Sequence, residues 1–124
     1  MDKAQITEFI RKSFDNPDED LDFPGTKIQQ IKLGNFTVSR IVCEPGWSWS
    51  GTLPSIIGTD TCQFEHPIWM VMSGRFAVKM DNDGRTEEYG PGDIGMIPPG
   101  HDAWVVGDEP VIAFDIQDNN NSEK

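Results

Sequence analysis

The chain has 124 residues, enough for one domain with its own core. Ten basic against 21 acidic residues leave a net charge of −11, so a nucleic-acid backbone or an anionic membrane surface would repel it. No apolar run approaches the ~20 residues of a membrane span, and 12 glycines with 9 prolines favour strands and turns over a helical bundle.

Residues 3–14 place Ile6, Phe9 and Ile10 at helical spacing, with Phe14 one turn on. That pattern predicts a short amphipathic α-helix docked on the body of the domain. The same stretch lacks the apolar core of a secretory signal. A cytoplasmic location is therefore expected, with Cys43 and Cys62 in a reducing compartment; a disulfide between the two stays open. Residues 15–22 (DNPDEDLD) hold five acids and one proline, and read as a solvated, irregular connector. They lack the glycine and closing glutamate of a calcium loop.

Short strands with turn signals between them fill the rest. Candidates are Ile28–Leu33, Phe36–Glu44, Pro67–Ser73, Arg75–Met80, Arg85–Tyr89, Ile94–Ile97, Ala103–Val106 and Val111–Ile116. Pro67–Ser73 is apolar on both faces, with Trp69 and Val71 on one and Ile68, Met70 and Met72 on the other, so it packs on both sides. Residues 51–61 form a loop. Trp47 and Trp49, two apart, put both indoles on one face of an extended segment. They serve either as core packing or as the wall of a ligand pocket. The pattern is that of an all-β sandwich or barrel. It divides into residues 1–26 (helix and acidic connector), 27–117 (barrel) and 118–124 (a disordered polar tail).

The stretch GPGDIGMIPPGHDAWVVGDEP, from Gly90 to Pro110, carries a family resemblance. Gly92, Pro98 and Gly100 meet the second motif of the cupins, a Gly, five residues, then Pro-x-Gly. Gly74 meets the closing glycine of the first motif. With PGWSWS, then Gly58-Thr59 and Cys62 with His66 four residues on, the chain resembles a bacterial subfamily of small single-domain cupins of the type-2 conserved-barrel kind. The resemblance implies an all-β double-stranded β-helix, a jelly-roll barrel, and a homodimer. It implies no settled biochemical role.

Many cupin enzymes bind a divalent metal through three His and one Glu. The corresponding positions here fall near Asp60, Cys62, Pro67 and Ala103, and none carries the family residue. The chain has two histidines, His66 and His101, so a three-His site within one subunit is excluded. A rearranged site is the alternative. His101 has the strand parity of Ala103 and so can point inward. A one-residue bulge would turn His66 inward. Cys62 stands in a ligand position, and thiolate with imidazole suits zinc, iron, nickel or copper. Asp60 or Glu65 would supply an oxygen. The competing reading makes Cys62 a small buried hydrophobe and the two histidines structural. Cys–His nucleophilic catalysis is disfavoured, because a thiolate needs a polarising neighbourhood and this chain is acidic.

The expectation is a barrel that binds a small organic molecule between a Trp47/Trp49 wall and a Cys62/His66/His101 end, in a sensing, regulatory or sequestering role. The sequence fixes no cofactor, and one divalent transition metal (zinc, iron, nickel or copper) is a candidate. The alternatives are a metal-dependent oxygenase or isomerase using Cys62, His66 and His101, and a structural cupin with a filled barrel.

Overall fold

The computed structural model describes residues 6–53 and 61–119. Nine strands are formed among them: β1 Glu19–Phe23, β2 Thr26–Leu33, β3 Phe36–Cys43, β4 His66–Ser73, β5 Arg75–Met80, β6 Thr86–Tyr89, β7 Ile94–Ile97, β8 His101–Val106 and β9 Val111–Asp118. One short helix, α1 (Trp49–Thr52), lies between β3 and β4. The strands pair antiparallel in two sheets, a larger one ordered β1-β2-β3-β9-β4-β7 and a smaller one ordered β6-β5-β8. This is the expected all-β jelly roll.

The period-two alternation of the strands builds the interior. Trp69 and Val71 of β4, Ala103 and Val105 of β8, and Val111 and Ala113 of β9 are buried in one cluster. Burial of a valine-sized side chain contributes about 1.5–3 kcal/mol. The opposite parity of β4 and β7 stays outside, where Ile68, Met72, Ile94 and Met96 are exposed. Two glycines set the turns that matter most. Gly74, between β4 and β5, has φ 78°, and a Cβ there would run into the Pro110 carbonyl oxygen and lie 2.9 Å from Val111 Cα. Gly100, at φ 87°, closes the Pro-Pro-Gly turn that delivers His101 to β8.

Three expectations are corrected. Residues 6–13 form no helix, and residues 3–5 of the expected helix lie outside the described residues. Ile6 and Phe9 are largely exposed, so no apolar face is buried to stabilise a helix that is marginal in isolation. Phe14 docks, with its ring 5.7 Å from that of Phe114. The acidic stretch is not irregular throughout. Glu19 to Phe23 pair along β2 from Glu19↔Gln30 to Phe23↔Thr26, which satisfies the backbone and leaves the acids in solvent. The barrel therefore begins before residue 27. At the other end Asp118 belongs to β9, and Asn119 N–H donates to the Asn35 carbonyl. Residues 120–124 of the expected disordered tail lie outside the described residues.

Gly74→Ala should destabilise the fold by about 2 kcal/mol, since a Cβ meets both a left-handed backbone and the β9 main chain. Urea unfolding of the variant checks this; a loss below about 0.5 kcal/mol, the range of an unremarkable surface change, would contradict it.

Candidate metal and ligand site

The site is assembled by backbone geometry before any side chain acts. Cys62 emerges beside the start of β8 and forms an isolated bridge with His101. Cys62 N–H donates to the His101 carbonyl at 2.7 Å, and Gly100 N–H donates to the Cys62 carbonyl at 2.8 Å. His66 is the first residue of β4. By parity with Ile68 it would face outward. The β4–β7 register passes from His66↔Ile97 to Trp69↔Gly95, three residues against two. That single extra residue is the bulge that turns His66 into the barrel. His101 is inward by parity and only 3% exposed.

The three donor atoms of Cys62, His66 and His101 all lie within 4.8 Å of one another. Cys62 Sγ is 3.9 Å from His66 Nε2, and the two imidazole centroids are 5.3 Å apart. Each ring is held from behind. His66 Nδ1 donates to Asp115 Oδ2 at 3.1 Å, and His101 Nδ1 donates to the Pro98 carbonyl at 2.8 Å. Each bond fixes the tautomer, so both rings present Nε2 to the shared point.

Charge is redistributed within the cluster. Burial pushes the Cys62 thiol up, but hydrogen bonds from His101 and His66 outweigh it and bring the thiol down to about 7. For His66 burial pulls down, while Asp115 and Cys62 pull up more strongly, to about 9. Between about pH 7 and pH 9 the thiolate facing an imidazolium is therefore the favoured form of the pair. The acidity of the whole chain is thus a poor guide to this cysteine, because its partners are local. Cys43 is the contrast: burial raises its thiol to about 11, and its Sγ lies 3.4 Å from the Thr26 hydroxyl.

Above the cluster the barrel holds a cavity of about 680 Å³. Trp47, Trp49, Cys62, His66 and His101, the five expected site residues, all line it. The two tryptophans do not share an extended strand, because Trp49 opens α1. Ser48 caps that helix, accepting from Gly51 N–H, and Asp102 holds it to β8 by accepting from Ser50 N–H at 3.0 Å. Glu65 lines the cavity too, whereas Asp60 lies outside the described residues. Asp93, at the GPGD turn, accepts from Gly90 N–H at 2.8 Å and is a turn former. Asp115 is the member that strand reading misses. Its signal is present, since an acid at the inward parity of Val111 and Ala113 needs a partner inside. A second hollow between β6 and β7, lined in part by Asn82, Arg85 and Glu87, contains no such donor cluster.

The geometry defines a jelly-roll barrel with a thiolate–imidazole donor set in its interior. No protein-family model matches the sequence, and no curated protein does. Solved structures do. The structure of KdgF from Halomonas sp. superposes with a TM-score of 0.61 at 15% identity, covering 95% of this chain and 100% of that one. Oxalate decarboxylase from Bacillus subtilis gives 0.59 at 23% identity over 82% of this chain and 28% of that one. A cupin-like protein from Thermotoga maritima gives 0.55 at 20% identity, with 77% and 70% covered. The chain thus spans less than a third of the oxalate decarboxylase it matches. The fold is the jelly-roll barrel that these structures share, the cupin-like one among them.

In metal-free protein, small alkylating reagents should modify Cys62 with a midpoint near pH 7 and leave Cys43 largely untouched at that pH. Thiolate is the reactive form, so the rate rises as pH passes upward through the midpoint. Asp115→Asn should move that midpoint upward, because it weakens the imidazolium. Mass spectrometry of each cysteine over pH 5–10 checks this; equal labelling of both cysteines would contradict it.

Proposed function

We propose that the chain binds one divalent transition metal through Cys62, His66 and His101, and that this ion holds a small organic molecule in the barrel. The observation that carries the reading is the paired support of the rings, Asp115 behind His66 and the Pro98 carbonyl behind His101. Histidine ligands of metals characteristically have their second nitrogen bonded in this way. The 3.9 Å between Cys62 Sγ and His66 Nε2 is also within about 0.5 Å of the separation that tetrahedral zinc with usual bond lengths spans. Three protein ligands leave a coordination position open, as in catalytic rather than structural sites. Zinc, iron, nickel and copper all accept this donor set.

When bound, such an ion polarises a coordinated group as a Lewis acid. The chain's own residues do the rest. Asp115 keeps the His66 tautomer correct, the Cys62–His101 bridge fixes the thiolate, and the aromatic walls exclude water. An isomerase-like or oxygenase-like enzyme and a ligand sensor both use such a centre. A specific observation favours a metal-free reading as well, since Cys62, His66 and Asp115 are aligned as nucleophile, base and orienting carboxylate. The exposed outer-face residues Ile68, Met72, Ile94 and Met96 support pairing of two copies. Both cysteines are free thiols, which supports a reducing compartment such as the cytoplasm. No helix among the described residues is long and apolar enough to cross a membrane.

Protein purified without a metal-binding tag should carry close to one transition metal per chain by elemental analysis. Cys62→Ser and His101→Ala should each cut that to below about a tenth, the loss expected when a ligand is removed from a three-residue set. Retention in both would overturn this ligand set, and unsubstituted protein that carries less than about a tenth of an equivalent even after metal soaking would favour the metal-free reading. Affinity should also rise with pH. Binding displaces about one proton, from His66, between pH 7 and 9, and about two, from His66 and Cys62, below pH 7. Isothermal titration of zinc in buffers of different ionisation enthalpy measures the proton count. A pH-independent affinity over that range would contradict the assignment.

A further inference from the structure

The cavity walls narrow the class of ligand, on the footing of the metal-centre reading above. From the donor cluster a continuous row of rings runs along one wall. His101 and His66 are 5.3 Å apart, His66 and Trp69 5.3 Å, Trp69 and Phe76 5.0 Å, and Phe76 and Trp47 6.2 Å with near-parallel planes. All five rings line the cavity. Indole N–H groups of Trp47 and Trp69 are buried and have no hydrogen-bond partner among the described residues.

Charge acts in the same direction. Among the described residues no lysine or arginine lines the cavity, whereas Glu65 and Asp115 do. A doubly charged ion at the cluster meets the Cys62 thiolate at its surface and the Asp115 carboxylate behind His66. Those two charges leave no net positive charge to draw in an anion, and Glu65 adds repulsion. A carboxylate or phosphate ester entering here would lose its water without gaining a cation.

We propose that the barrel takes an uncharged, flat, ring-bearing molecule with a single oxygen or nitrogen donor. The donor meets the ion, and the ring lies on the Trp69–Phe76–Trp47 wall. Small dianions such as oxalate are excluded.

Zinc-loaded protein, its metal content measured first, should be titrated by calorimetry with 2-naphthamide, 2-naphthoate and oxalate. The first two share ring and shape and differ in charge. Naphthamide should bind at least tenfold more tightly than naphthoate, and oxalate not at all. Phe76→Leu and Trp69→Leu should each weaken naphthamide about tenfold with zinc content unchanged. Failure to take up zinc overturns the metal centre and this inference with it. Zinc uptake with naphthoate or oxalate bound as tightly as naphthamide, or with no naphthamide binding, overturns the ligand class alone. Undiminished binding in both leucine variants overturns the placement on that wall.

Discussion

One extra residue in β4 decides what the interior of this barrel is. Without the shift between His66 and Trp69, period-two geometry would put His66 on the outer face with Ile68. Asp115 would then be an acid in an apolar core with no imidazole to pair with, and Cys62 would lose one of its two imidazole partners. With the bulge, His66 reaches both Asp115, at 3.1 Å, and Cys62, at 3.9 Å. Three polar groups that would each be costly to bury alone become a mutually satisfied cluster. Bulges commonly re-aim one side chain beside a functional site.

The barrel supports that cluster by rigid means. His101 is fixed by a glycine turn, by its bond to Pro98 and by the backbone bridge to Cys62. Asp115 sits on β9, which pairs with both β3 and β4 near the middle of the larger sheet. Placing His66 and His101 on strands, with Cys62 tied to His101 by a backbone bridge, restricts the motion of all three. The apolar rings beside the cluster lower the local dielectric, which strengthens the thiolate–imidazolium attraction and makes entry of an uncompensated charge expensive.

Much of this was legible in the sequence because it follows from period two and turn chemistry. The inward parity of His101 and the turns at Gly74 and Gly100 need only strand alternation and positive-φ glycines. The two-histidine count was enough to exclude a three-histidine centre, and Cys62 with His66 and His101 was the remaining donor set. Asp115 was missed because its strand reads as a plain apolar run unless each inward position is asked for a partner. The helix expected over residues 3–14 failed for the converse reason. Periodicity records which residues would share a face, not whether a surface lies beneath it, and Ile6 and Phe9 have none. Likewise the acids of Glu19–Asp22 suggested loop, but an edge strand needs only its backbone paired and can leave its side chains in water.

The central claim is that one sulfur and two nitrogens converge on a metal inside the barrel. X-ray absorption at the zinc edge of the zinc-loaded protein reads that shell directly. We expect one sulfur at about 2.3 Å and two imidazole nitrogens at about 2.0–2.1 Å, with the sulfur lost in Cys62→Ser. A shell of oxygen and nitrogen alone in the unsubstituted protein would contradict it.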